Sequence, residues 1–323
     1  MLMLAIAPFP LAGQLTLYTC MVNSKDYVVG AKLPPSGIFR KPAGGQWRHA
    51  GYNHPFVNAL DFDPAAPDTL YVAAGNGLIR VRNHGEQWKI LTGSEVTELQ
   101  DVSVDRRSPG TIYFSHTAGI RVTYDGGATW QDASASLHRK YTQAIRVDSS
   151  QSGVLLAGNE EGIFRSADAG KTWKPAGAAG FQVLHVEQSP HDPSHWLAAT
   201  QGGGLFASRD SGVYFESAGN LGTGRNLSDI AFDPGNATRI AVAGWGVGVA
   251  LSEDGGKTWQ SRNTGLPSTN VWSVAFDPAY PGRVYASVHE EALYVSQDNG
   301  KTWAKDGLEG SRVLRMKFVP ERP

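Results

Sequence analysis

The chain has 323 residues, and its 29 Lys and Arg against 30 Asp and Glu leave a formal net charge of −1. That balance excludes nucleic-acid binding through a basic surface, because neutralising phosphate takes an excess of cations. Cys20 is the only cysteine, which excludes an intrachain disulfide and a cysteine-rich metal site, and no apolar run approaches the roughly 18 residues of a membrane span.

In chain order, the apolar start Met1-Leu-Met-Leu-Ala-Ile-Ala7 has no cation before it, so it reads as a strand and not as an export signal. Leu4 to Pro8 and Leu15 to Tyr18 align with the first two strands of a unit that recurs along the chain. The first unit closes at Trp47 and keeps Gly44, but Pro42 stands where later units carry an aspartate. The second keeps Asn83, Gly85 and Trp88. The third ends in Thr123-Tyr-Asp-Gly-Gly-Ala-Thr-Trp130 and the fourth in Ser166-Ala-Asp-Ala-Gly-Lys-Thr-Trp173. The fifth keeps Ser208, Asp210 and Gly212, with Phe215 in the tryptophan position. The sixth and seventh end in Ser252-Glu-Asp-Gly-Gly-Lys-Thr-Trp259 and Ser296-Gln-Asp-Asn-Gly-Lys-Thr-Trp303. Successive closing aromatics, taken as differences of their residue numbers, are 41, 42, 43, 42, 44 and 44 apart.

Each unit holds short β-branched or aromatic runs bounded by Gly, Pro, Asn and Asp, such as Val274-Ala-Phe-Asp-Pro278, and none shows a sustained helical period. Four such runs in about 42 residues make one blade of a propeller. The fold expected is all-β: a seven-bladed β-propeller of four-stranded antiparallel blades, one domain over 1–323, with the S/T-x-D-x-G-x-T-W turn between third and fourth strands. The aspartate is expected to accept backbone N–H groups two or three residues on. The glycine supplies positive φ, and the closing ring fills the wedge between neighbouring blades. Two segments compete to complete the first blade, the N-terminal run and the strand at 312–320. The expectation is that the C-terminal strand does so.

Ligands of a propeller meet the end where loops enter first strands and where second strands turn into third. The entering loops supply Tyr52, His54, Phe56, His138, Arg139, Tyr141 and Arg225. The other loops supply Glu160, Glu161, Trp245, His289, Glu290 and Glu291, and Trp272 opens a first strand at the same rim. Aromatic planes among polar groups suit sugar stacking or a peptide segment. Paired carboxylates would suit glycoside hydrolysis, with Glu160, Glu161, Glu290 and Glu291 as candidates. First strands should line a channel, with Asp61, Arg146, Glu187 and Lys317 in one inward row and Asp101, His185, Asp229 and Arg315 beside it. Mutual compensation of charge around a watery tunnel is the expected role of those rows.

No cofactor is expected. Gly256-Lys257-Thr258 lacks the earlier glycine of a phosphate-binding loop, and Gly202 to Gly204 opens no helix. No metal site is expected either, since His191 and His195 lie four apart in a Pro-containing loop.

The repeated turn resembles the Asp-box, or BNR, repeat found in sialidases, xyloglucan-cleaving propeller glycosidases, sortilin-type receptors and a photosystem II assembly factor. The resemblance covers nearly the whole chain and implies the fold, with the box at the blade periphery away from the ligand face. It implies little about activity, because unrelated functions share the box. Sialidases have six blades and an F-R-I-P-like signature upstream of the first box, whereas Phe39-Arg-Lys-Pro42 lies inside the degenerate box. The xyloglucan enzymes continue their first blade into an R-T-D-x-G-G-like motif, and Thr19-Cys-Met-Val-Asn23 lacks it. The leading expectation is a non-catalytic binding or assembly propeller that holds a protein segment or glycan, as a monomer or as part of a larger assembly. A carbohydrate-active hydrolase is the alternative. The related families are mostly exported or lumenal, so an extracytoplasmic location is expected although no signal peptide is evident.

Overall fold

Runs of β-branched and aromatic residues broken every few positions by glycine can satisfy their backbone groups only by pairing with neighbours. In the computed structural model, which describes residues 15–25 and 34–321, they form seven four-stranded antiparallel sheets. The chain is an all-β seven-bladed propeller. Blade 1 is Ser311–Pro320, Leu15–Asn23, Gly37–Pro42 and Arg48–His49, so the C-terminal strand is its innermost member. It pairs with the N-terminal strand from Leu15–Pro320 to Asn23–Ser311. Residues 1–14, including the competing run Leu4 to Pro8, lie outside the described residues, as do residues 26–33.

The remaining inner strands are Val57–Asp63, Leu99–Val104, Thr142–Val147, Gln182–Gln188, Asn226–Phe232 and Val271–Phe276, for blades 2 to 7 in order. Every inner strand carries one unpaired residue at the same height: Leu314, Asn58, Gln100, Gln143, Leu184, Ser228 and Trp272, from blade 1 to blade 7. A bulge bends a strand and re-aims its side chains. Two of these residues reach the following blade, Asn58 Nδ2 donating to Leu99 O at 2.7 Å and Ser228 Oγ to Val271 O at 3.0 Å. Residues just beyond the bulge sew the ring as well: Val104 N donates to Asp61, Ile145 N to Asp101 and Val274 N to Asp229, at 2.9 to 3.1 Å.

The box turn has a specific geometry. In blade 3, Asp125 Oδ1 accepts the amides of Ala128 and Thr129, both at 2.9 Å, and Oδ2 accepts the Thr129 hydroxyl at 2.6 Å. The amides thus lie three and four residues on, one step further than expected, because two successive left-handed residues lengthen the turn. These are Gly126 and Gly127 here, at φ 71° and 95°, and Ala169 and Gly170 in blade 4, at 62° and 85°. Hydroxyls hold the aspartates well below the usual carboxylate range. Asp168 and Asp298 come down to about 2, chiefly through Thr172 and Thr302.

Each closing ring packs against the blade before it. Trp173 Nε1 donates to Ala133 O at 2.8 Å, Trp130 to Leu91 O at 3.1 Å and Trp303 to Arg262 O at 2.7 Å. Trp173, Phe215, Trp259 and Trp303 are buried. Trp88 departs from the expected wedge: it is 50% exposed and meets Tyr52 edge-on, ring centroids 5.0 Å apart. Its box has no hydroxyl at the first position, where Val81 stands, and a 3-10 turn at Asn83–Gly85 replaces it.

Candidate functional site

Antiparallel order sends two sets of connections to opposite ends of the ring. Box turns and the turns that follow inner strands share one end. Loops entering inner strands and loops between second and third strands share the other, called here the loop face.

The residues expected on the loop face gather in three groups. Between blades 1 and 2, Tyr52 stacks on His54 with centroids 5.7 Å apart, and His54 meets Phe56 at 6.0 Å. Tyr52 donates to Asn76 Oδ1 at 2.7 Å, and Phe56 is 60% exposed. Between blades 3 and 4, Glu161 receives His138 at 3.1 Å and Arg139 at 3.8 Å, while Arg139 also reaches Glu160 at 3.5 Å. Tyr141 accepts from Gln143 at 3.3 Å.

The third group joins blades 6 and 7. Trp245, Trp272 and His289 form a triangle with centroid separations of 5.7, 4.9 and 5.8 Å. Trp272 Nε1 donates to His289 Nδ1 at 2.8 Å, and the Arg312 guanidinium lies over the Trp272 ring at 5.6 Å. Burial outweighs the neighbouring Glu290 and lowers the His289 pKa, which suits a neutral ring accepting at Nδ1. Trp245 is exposed. Glu290 accepts from Ser24 Oγ at 2.9 Å, and Glu291 pairs with Lys25 at 3.5 Å. Among the described residues the Arg225 side chain makes no hydrogen bond or ion pair, its carbonyl instead accepting from Gly204 N. The three groups lie on different blades.

The channel residues do come together. Arg146 Nη1 binds Asp101 at 2.8 Å and its Nε binds Glu187 at 3.2 Å. His185 sits 2.8 Å from Asp229 through Nδ1, with Arg146 Nη2 at 3.0 Å from its Nε2. Nδ1 also lies 3.3 Å from the Ile230 amide and Nε2 3.4 Å from Glu187, so the imidazole is held on both sides by charged and backbone groups. Arg315 starts on blade 1 and ends on blades 5 and 6, donating to Leu184 O at 3.2 Å and Asp229 Oδ1 at 3.1 Å. It crosses the channel. The expected open tunnel is therefore floored by an ion network, leaving a blind cup of about 360 Å³.

The cup opens at the box end, since its lining continues into Asp148, Ser149, Ser189 and Pro190 and includes no residue from the loop face. Lys317 reaches Asp61 at 3.3 Å within it. Burial raises the Asp61 pKa, but Lys317, Arg106 and the Val104 amide outweigh it and hold the carboxyl below its ordinary value. Arg146 does the same for Glu187. His191 is bonded to Asp233 O at 2.9 Å, and His195 is buried edge-on to Phe232.

A family model, the BNR/Asp-box repeat, matches residues 294–305, the third strand and box of blade 7. The hydroxyl–aspartate–glycine bonding of that box recurs in blades 3, 4, 5 and 6. The chain is an Asp-box propeller.

No curated protein sequence matches this Asp-box propeller. Among solved structures it is similar to the GH74 xyloglucanase from Xanthomonas campestris, at TM-score 0.65 and 19% identity over 77% of this chain and 45% of that one. The GH74 enzyme from Niastella koreensis gives TM-score 0.69 and 19% identity over 83% and 50%. The propeller thus spans about half the length of those enzymes. YCF48 bound to a D1 peptide gives TM-score 0.59 and 18% identity over 83% of this chain and 92% of that one. At such identity the likeness is one of fold.

Two features of the Asp-box propeller escaped sequence reasoning. Arg106 lies in the turn after the blade 3 inner strand, 3.9 Å from Asp61, and no motif marks it. Trp88 looked like its siblings, and only its missing box partners signalled a different place.

Proposed function

We propose that this propeller is a non-catalytic binding module that grips a protein segment on its loop face. The observation that carries this reading is the state of the four candidate carboxylates. Glu160 and Glu161 face Arg139, Glu291 faces Lys25, and Glu290 accepts from Ser24. None of the four lines the channel cup. A hydrolase needs an acid and a base on opposite sides of one bond, about 5–10 Å apart in a shared cleft. Carboxylates already engaged on separate blades do not supply that.

Exposed rings held by their neighbours serve binding well. Trp245 is backed by Trp272 and His289, and Phe56 by His54 and Tyr52. Rigid aromatics bury large areas at little entropic cost. The similarity to YCF48, which extends over most of both chains and includes a peptide-bound form, supports a protein segment over a glycan. The GH74 likeness favours the second reading, in which the same aromatic faces stack on sugar.

Peptide and oligosaccharide arrays, each read for retention and cleavage, test both. Retention of peptides that falls at least tenfold in Trp245→Ala or Phe56→Ala is the expected result. Cleavage of an oligosaccharide that disappears in Glu160→Gln or Glu290→Gln would overturn it.

A further inference from the structure

Phe56 is the more open of the two exposed rings on the loop face, 60% accessible against 43% for Trp245. The backbone around it is fixed. Phe56 N donates to His54 Nδ1 at 3.1 Å, and Phe56 O accepts Gly75 N at 2.8 Å. Gly75 O in turn accepts Glu98 N at 2.9 Å. A Cβ on Gly75 would lie 2.8 Å from the Phe56 Cβ, so a glycine there lets the three loops meet. Phe56 and Glu98 hold equivalent places, two residues before the bulge on the inner strands of blades 2 and 3. They are neighbours along the inner edge of the loop face.

The free charges in these loops have one sign. Residues 50–56, 75–76 and 91–98 include Glu95 and Glu98 but no lysine or arginine. Among the described residues neither carboxylate makes a hydrogen bond or an ion pair. Cations on the flanking blades are turned away or engaged. Arg312 of blade 1 lies over the Trp272 ring. In the loop entering blade 4, Arg139 faces Glu160 and Glu161, and Lys140 donates to Ser134 O. The other cations of blade 2, Arg80, Arg82 and Lys89, stand on its two outer strands, on the flank of the ring. Glu98 also holds φ 56°, a left-handed backbone that a residue with a Cβ enters at a cost. Strain of this kind gathers at ligand sites.

Resting on the reading of the loop face as a grip for a protein segment, we propose that this segment is basic. An arginine side chain lies over the Phe56 ring and its guanidinium pairs with Glu98. A guanidinium stacks on an aromatic face and also offers a carboxylate two parallel donors, so one arginine answers both groups. Glu95 adds a second negative charge close by. An acidic segment would instead meet two uncompensated carboxylates beside the ring, and such like-charge approach is strongly disfavoured.

The test is a random peptide array probed with the full chain at about 50 mM salt. Retained peptides are expected to carry arginine at least threefold above the array average. That excess should vanish at about 500 mM salt, where exposed charges are screened. Glu98→Gln, at an exposed and unbonded side chain, should keep the wild-type melting temperature and lose most of the arginine excess, while Glu98→Asp retains it. Replacing arginine by citrulline in the best-retained peptide should weaken its binding at least fivefold in calorimetric titration. Glu216→Gln, on the outer strand of blade 5, should change nothing. Retention without an arginine excess, an excess of glutamate, or an arginine excess that survives Glu98→Gln overturns the basic segment and leaves the peptide-binding reading intact. No retention of any peptide overturns both.

Discussion

Blades 3 to 7 and blades 1 and 2 share a strand plan but finish it differently. In blades 3 to 7 the box aspartate ties down its turn, and the aromatic that follows is driven into the seam with the preceding blade. Blade 1 has lost the aspartate to Pro42 yet keeps the wedge. Trp47 Nε1 donates to Asp306 O at 3.1 Å beside a Lys41–Asp306 ion pair of 2.6 Å. Blade 2 has lost both, and Trp88 lies half in solvent against Tyr52. The wedge and the turn are therefore separable. The indole needs a partner on the neighbouring blade, and the box is one way of aiming it there.

The strongest way to break that comparison is to delete an indole on each side of it. Trp173 is buried and spends its N–H on Ala133 O. Trp173→Ala should cost about 3–5 kcal/mol in unfolding free energy through the cavity left behind. Trp88→Ala should cost about 1 kcal/mol or less, because half the ring is already wet and only its edge contact with Tyr52 is lost. Denaturant unfolding of both variants decides the matter. Equal losses would mean that the two indoles do the same work and that the contrast between the blades is superficial.

The next test uses acid. The box aspartates have pKa values lowered in the folded state, with Asp168 and Asp298 near 2 against an ordinary 3.8, so their share of stability is complete above about pH 4. It falls away as pH drops through the folded value near 2, since the unfolded chain then takes up protons more readily. The melting temperature of the wild type should fall between pH 4 and pH 2. Asp168→Asn should start lower and lose less over that interval. Blades 1 and 2 carry no box aspartate; blade 2 adds to the acid slope only through Asp61, which, against the effect of burial, Lys317 and Arg106 hold below its ordinary value. A variant that keeps the full wild-type acid slope would show that the hydroxyl and amide bonds to Asp168 do not stabilise the fold.

How much was legible in the sequence follows the same division. The boxes, the spacing of their closing aromatics and the strand runs were enough for the ring, because each is a local device repeated with little change. The inner rows were legible too, since the bulge falls at one height on every blade and preserves their alignment. The crossing of the channel by Arg315 was not. It depends on the length of one side chain and on which blades stand opposite, and neither is visible in a row of aligned strands. Trp88 was misplaced because its indole matched the pattern while Val81 and Gln87, where a hydroxyl belongs, did not. On the loop face the sequence named the residues but not their grouping. That grouping depends on which loops approach one another across a seam.

The smallest effect bears on the turn itself. Ala169 occupies the fourth box position at φ 62°, where blades 3 and 6 have Gly126 and Gly255 and blade 7 has Asn299. A side chain with a Cβ pays to enter the left-handed region, and glycine does not. Ala169→Gly should therefore relieve local strain, offset in part by the greater freedom of glycine in the unfolded chain, for a net gain of about 0.5 kcal/mol. Thermal unfolding of this variant beside Gly255→Ala, expected to lose about 1 kcal/mol at the equivalent position, gives the sign. If Ala169→Gly were destabilising, the methyl group would have to be worth more in contact than it costs in strain. The bond from the Ala169 amide to Gly153 O, 2.9 Å long, does not depend on the methyl group and survives the change, so strain alone sets the expected sign.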